Sequence, residues 1–259
     1  MQRIFWNGSF FYHIQRQAMK PTAIITAASK GMGAATAQEL ASRGYNLVLM
    51  SRSADIHRFA ETLADKTSVH NTSVHAVQGS VTDEQDLKRL VETTIDKFGR
   101  IDALVNNTGH PPKGKTFALS DDDWRTGFDL VFMSVIRLMR LVTPVMEKQH
   151  KGAIVNISSF AALEPSVERP VSSTMRAALA NFTKLYAREY AHANIRMNSL
   201  LPGYVDSYTV TPETLATIPM GRVGTVEEVA KTIAFLLSDD AAFITGQNII
   251  FDGGMTQRM

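Results

Sequence analysis

Residues 22–44, TAIITAASKGMGAATAQELASRG, decide the fold. The opening apolar run has the length of a strand, ASKGMG is a glycine-bearing turn, and Ala34 to Arg43 reads as a helix. A helix entered this way offers its N-terminus to an anion, and a pyrophosphate approaches the backbone there only where no β-carbon intrudes. Gly31 and Gly33 satisfy that condition. A tight turn with no ligand would also carry two glycines.

The same alternation continues along the chain. TAIITA, NLVLMS, VHAVQG, ALVNNT, AIVNIS, RMNSLLP and NIIFDG are expected as strands. Ala34 to Arg43, Asp55 to Lys66, Glu84 to Phe98, Asp121 to Lys148, Thr174 to Ala191 and Val226 to Leu237 are expected as helices between them. Continuously apolar strands are buried on both faces, which a parallel sheet with helices on either side requires. The fold class is therefore α/β: a doubly wound, seven-stranded parallel sheet of Rossmann type in a single domain spanning residues 19–259. In such sheets ligands lie beyond the carboxyl ends of the strands, so the Pro- and Thr-rich stretch Tyr204 to Arg222 is placed to be a substrate lid. An inert surface excursion would look the same.

A chain of 259 residues with 44% apolar content buries a full core without a second domain. A formal charge of +2 argues against a dedicated nucleic-acid binder. The absence of cysteine excludes disulfides, thiolate nucleophiles and Cys-ligated zinc, and no His or carboxylate pair has metal-ligand spacing, so no metal is expected. Residues 1–18 carry no acid, and their aromatic run is broken by Asn7, Gly8 and Ser9 before it reaches signal-peptide length. They are read as an N-terminal extension. No stretch has the length of a membrane span, and a cytoplasmic protein acting on a small molecule is the expectation.

Beyond the glycines, the second strand ends in Met50-Ser51-Arg52-Ser53, with no carboxylate to grip ribose hydroxyls. Arg52, with Lys30 and Ser51, would instead pair with a 2′-phosphate, which favours NADP(H) over NAD(H). Two solvated surface charges would give the same pattern. Asn106-Asn107-Thr108-Gly109 follows the fourth strand and Pro202-Gly203-Tyr204-Val205-Asp206-Ser207 the sixth.

Taken in order, these segments resemble the short-chain dehydrogenase/reductase family, and within it the 3-oxoacyl reductase branch, over residues 20 to 255. Thr26 to Gly33 is similar to TGxxxGxG with Ala27 in place of the first glycine, the fourth-strand segment resembles NNAG, and TVEEVAKTIAFLLSDDAAFITGQNIIFDGG resembles the family's C-terminal segment. The resemblance implies a dinucleotide held by Thr26, Ala28, Ser29, Lys30, Gly31, Met32 and Gly33. Arg52 would hold its phosphate, Ser80 and Val81 would lie at the adenine, and Asn107, Thr108 and Gly109 at the ribose. Pro202, Gly203, Val205 and Ser207 would meet the nicotinamide. It also implies pairing of subunits, as a dimer or homotetramer, through the helices expected over Asp121 to Lys148 and Thr174 to Ala191, where Phe132, Ile136, Met139, Phe182 and Tyr186 supply apolar surface.

The family's proton-transfer residues are mostly missing. Ser159 matches its serine, but thirteen residues later stands Ser172 instead of tyrosine, and four further Arg176 instead of lysine. Val131 takes the place of the asparagine that anchors a water relay. An aliphatic hydroxyl is too weak an acid to replace a phenol, and a guanidinium keeps a permanent charge on a planar fork suited to paired oxygens. His110, Tyr204 and Tyr208 are candidate replacement acids overhanging the nicotinamide, and Arg176 still has a hydride cofactor's ribose or a substrate carboxylate to hold. Three functions stay open: an NADP(H)-dependent oxidoreductase with non-standard proton transfer, acting on a small carbonyl, imine or alkene; a non-redox isomerase, lyase or cyclase; and a non-catalytic nucleotide-binding protein.

Overall fold

A computed structural model describes residues 20–257; the extension expected over 1–18 lies outside the described residues. Seven parallel strands form one sheet: β1 (Thr22–Ile25), β2 (Asn46–Ser51), β3 (Val74–Gln78), β4 (Ala103–Asn106), β5 (Gly152–Ile157), β6 (Ile195–Pro202) and β7 (Asn248–Phe251). Their order is β3-β2-β1-β4-β5-β6-β7, so the chain reverses direction between β1 and β4. β1, β4, β5 and β6 are buried at every position, as two-sided coverage demands.

Helices α1 (Gly31–Ser42), α2 (Asp55–Lys66) and α8 (Val226–Leu237) cover one face through Leu40, Ile56, Leu63, Val229 and Ile233. The other face takes α3 (Glu84–Phe98), α5 (Ser134–Gln149) and α6 (Pro170–Tyr190) through Leu87, Leu90, Leu138, Val142 and Leu179. Helix starts are set by side chains: Asp83 accepts from the backbone N–H groups of Gln85 and Asp86, and Ser120 and Thr225 open capping boxes with Asp123 and Glu228.

Three boundaries differ from expectation. The helix expected over Asp121 to Lys148 is α4 (Asp121–Phe128), a π-helical turn at Asp129–Met133, and α5. Helix α1 begins at Gly31, inside the phosphate turn, and α6 begins at Pro170, whose fixed φ and missing N–H suit a first helical position. The stretch after β6 contains a short helix, α7 (Pro212–Ala216), capped by Thr211. Among the described residues no helix is long and apolar enough to cross a membrane.

Candidate active site

The reversal between β1 and β4 opens a cleft beyond the strand ends, where this architecture binds ligands. Its floor is a tight junction of two loops. Asn107 N–H donates to Thr26 Oγ1 (2.9 Å), Thr26 Oγ1 donates to the Asn107 carbonyl (2.7 Å), and Asn107 Nδ2 donates to the Ala27 carbonyl (3.2 Å). A β-carbon on Gly33 would stand 2.4 Å from the Ala27 carbonyl and 2.8 Å from Asn107 Nδ2, so the helix seats only with glycine there. Gly31 has φ +56°, and Ala27 also holds a left-handed φ of +47°.

A cavity of about 720 Å³ follows this floor from Ser51, Arg52 and Ser80, past Lys30 and Gly31, to Asn107, Thr108, Gly109 and Ser207. Arg52 is exposed, and its Nη2 lies 3.8 Å from where a Gly109 β-carbon would be. Ser29 and Ser51 share a hydroxyl hydrogen bond of 2.9 Å beside it. Ser80 lines the cleft, its N–H held by Asp86 Oδ2 (2.8 Å). Thr26 and Ala28 are buried beneath the cleft, and Pro202 lines the adjoining cavity instead. The dimensions and the glycine floor fit a dinucleotide; Thr108 Oγ1, on this cleft and the adjoining cavity, and Ser158 Oγ, on the adjoining cavity, are buried with no partner among the described residues.

A second cavity of about 500 Å³ shares Met32, Asn107, Thr108, His110 and Tyr208 with the cleft, so the two adjoin. Ser159, Ser172, Arg176, Pro202, Gly203, Tyr204 and Val205 line it. Ser159 Oγ accepts from Ala161 N–H (3.2 Å), which fixes it at the end of β5. Arg176 is 6% exposed; its Nε donates to Ser172 Oγ (3.1 Å) and its Nη1 to the Ile157 carbonyl (3.2 Å). Burial pulls its pKa down to about 10, which leaves it charged at neutral pH.

Of the three candidate replacement acids, two meet. His110 Nε2 is hydrogen-bonded to the Tyr208 hydroxyl, and their rings meet edge to face at 5.2 Å. Burial, followed by the charges of Arg176, Lys113 and Arg169, holds the His110 pKa below its usual value, so the imidazole is neutral at pH 7. Burial raises the Tyr208 phenol while Arg176 and Arg169 draw it down. Tyr204 instead faces Phe160, with ring centroids 6.0 Å apart.

Several positioning residues gave no sequence signal. A buried chain runs from Asn106 Nδ2 to Asn156 Oδ1 (2.8 Å), from Asn156 Nδ2 to Thr183 Oγ1 (3.1 Å), and on to Ser199 Oγ (2.8 Å). It locks β4, β5, β6 and α6 together, and with them the relative placement of Ser159, Ser172 and Arg176. Gly127 admits α6, for a β-carbon would lie 2.0 Å from Val171 Cγ1. Val131 lies in the π turn, 1% exposed, beside a void of about 20 Å³ that Thr108 and Arg176 also line. That is room for about one water.

Comparison with known proteins agrees with this geometry. The chain belongs to the short-chain dehydrogenase/reductase family of NAD(P)-dependent oxidoreductases, in its 3-oxoacyl reductase-like branch: the family model described as enoyl-(acyl carrier protein) reductase matches residues 26–256. A 3-oxoacyl-[acyl-carrier-protein] reductase of Synechocystis sp. is 35% identical over 239 residues, covering 90% of this chain and 96% of the relative. The corresponding reductase of Thermotoga maritima is 33% identical over 243 residues, covering 90% and 96%. Among solved structures, YwfH, an NADPH-dependent reductase involved in bacilysin biosynthesis, superposes with a TM-score of 0.87 at 30% identity, covering 93% of this chain and all of its own. L-sorbose reductase from Gluconobacter frateurii, complexed with NADPH and L-sorbose, gives 0.84 at 28% identity, with 93% and 98% covered.

Proposed function

We propose that this chain is an NADP(H)-dependent oxidoreductase acting on a small carbonyl, imine or alkene, with proton transfer that does not use the family's phenol. The observation that carries the reading is that the dinucleotide-sized cleft adjoins a second cavity, the two sharing His110 and Tyr208 in their walls. When bound, the cofactor supplies the hydride. Every other task falls to the chain.

Gly31 and Gly33 leave the backbone open to the pyrophosphate, Thr26, Ala28, Ser29 and Met32 shape the turn, and Lys30 and Arg52 meet the 2′-phosphate. Ser80 and Val81 flank the adenine, and Asn107, Thr108 and Gly109 the ribose. Pro202, Gly203, Val205 and Ser207 seat the nicotinamide. Ser159 polarises the acceptor atom. Ser172, held by Arg176, supplies a hydrogen bond but no proton. The proton comes from Tyr208: the neutral His110, protonated on Nε2, donates that hydrogen to the phenol oxygen as the phenol gives its own to the substrate, and takes a replacement from solvent on Nδ1. NADPH dependence of YwfH and the NADPH complex of L-sorbose reductase support the cofactor choice.

The test is NADPH consumption by the full chain, followed by absorbance, over a panel containing a ketone, a cyclic imine and an enone. At least one should be reduced, and Tyr208→Phe should lower that rate on the order of 10²-fold, the scale of a general acid. NADPH binding with no consumption of any acceptor would overturn the redox reading. A Tyr208→Phe variant as fast as the parent would overturn the proton route.

A further inference from the structure

Arg176 is a buried cation without a counter-ion among the described residues. Of its five N–H groups, one on Nε and one on Nη1 have protein acceptors, and among the described residues none bonds from Nη2. The satisfied pair anchors the guanidinium to α6 and β5, and leaves an edge of Nη1 and Nη2 for a ligand. A charge held this deep is costly until an anion or several lone pairs meet it. Only a hydroxyl and a carbonyl do so within the chain.

The mouth of the same cavity repeats the sign. Lys113 and Arg169 line it, exposed, and neither they nor Arg176 take part in an ion pair among the described residues. Glu168 is the one carboxylate on the lining, exposed beside Arg169. The rest is mixed, with Pro111, Ile157, Phe160, Tyr204 and Val210 set among the hydroxyls of serines and threonines such as Ser166 and Thr211. One deep guanidinium behind a chamber with an apolar and aromatic side, and two cations at its entrance, is the arrangement that takes an amphipathic anion.

We propose that this cavity binds a substrate carrying a carboxylate on an apolar body, the carboxylate paired with the open edge of Arg176 and drawn in by Arg169 and Lys113. A planar guanidinium edge matches two carboxylate oxygens, which a lysine at this position would not. The inference rests on the oxidoreductase reading only in taking the anion to be the substrate; the binding itself is measured without turnover.

The experiment titrates the full chain by calorimetry, with and without saturating NADP⁺, using phenylacetate, benzoate and hexanoate against the matched amides. At least one acid should bind tenfold or more tighter than its amide, and Arg176→Met should erase that gap. Arg176→Lys keeps the charge without the fork and should shrink the gap at least threefold, which keeps the test decisive if the Met variant does not fold. Lys113→Ala with Arg169→Ala should flatten the salt dependence of acid binding while leaving most of the gap at high salt. Acids no tighter than amides in the parent, or a gap that survives both Arg176 variants, would overturn the proposal. NADPH affinity, measured separately by fluorescence, tells whether the nucleotide reading stands: its failure leaves the acid–amide comparison intact, and its success beside a failed comparison removes this inference alone.

Discussion

Ala27 shows what a single residue costs. It stands where the family motif has glycine, and its φ of +47° is a left-handed conformation that disfavours a β-carbon. The turn keeps the shape because the Ala27 carbonyl is tied to Asn107 Nδ2 and packs under Gly33. Relief of strain outweighs the larger unfolded-state entropy of glycine, so Ala27→Gly should stabilise the fold by about 0.5 to 1 kcal/mol, read from urea unfolding at unchanged m. Gly33→Ala should fail in the other direction, losing NADPH binding because its β-carbon meets backbone. Arg52 carries the cofactor preference at this scale: NADPH should bind at least tenfold tighter than NADH, about 1.4 kcal/mol, and Arg52→Ala should bring the two together in fluorescence titrations. The turn at Gly31 and Gly33 was legible because a left-handed φ at the one and a close backbone approach at the other demand glycine at this strand-helix junction. The His110–Tyr208 contact was not, since 98 residues separate the partners and no spacing rule joins a turn after β4 to a lid after β6.

The strands were legible because two-sided burial imposes continuous apolar runs, and all seven fall where those runs lie. Helix boundaries were less so. Nothing in the sequence near Asp129 marks the π turn, which contains neither Gly nor Pro; its Asp129 forms a 2.7 Å ion pair with Arg137 further along the same helical run. The turn directs Val131 towards the void beside Thr108 and Arg176. Ser172 and Arg176, one turn apart on α6, line the larger cavity together. Side chains introduced on these two elements therefore have space: Val131→Asn into the void, Ser172→Tyr into the cavity, with Arg176→Lys below it. The triple variant should gain ketone reduction relative to its parent, on the order of 10²- to 10⁴-fold if the missing phenol is what limits it, by NADPH-coupled assay. A parent already reducing simple ketones as fast as the triple variant would show that Tyr208 and His110 suffice.

At the scale of the whole molecule, the aromatic strip on α4, the π turn and α6 is only partly covered by the described residues. Phe128 stacks on Phe132 (centroids 5.6 Å), Phe132 meets Phe182 (5.9 Å), Phe182 meets Tyr186 (6.0 Å), and Tyr186 meets Tyr190 (4.5 Å). The sequence pattern assigned Met139 and Tyr186 to an outward face, but both sit inside the chain's own core, 4% and 3% exposed, the Tyr186 hydroxyl bonded to Thr143 and its pKa raised by burial to about 12. Periodicity marks an apolar stripe without telling core from interface. The outward residues are Phe128 at 42% and Leu185 at 59%, flanking the half-buried Phe132 and Phe182. A contiguous aromatic strip on two neighbouring helices suits a self-complementary two-fold contact, in which each copy covers the other's strip. The protein should accordingly behave as a dimer or tetramer by light scattering at micromolar concentration. Phe128→Asp with Leu185→Asp should reduce it to a smaller species, because two carboxylates would face their own copies across the axis without partners. Because α6 also carries Ser172 and Arg176, dissociation should loosen the cavity as well and weaken acid binding. A parent that runs strictly as a monomer would exclude this face as an interface between copies.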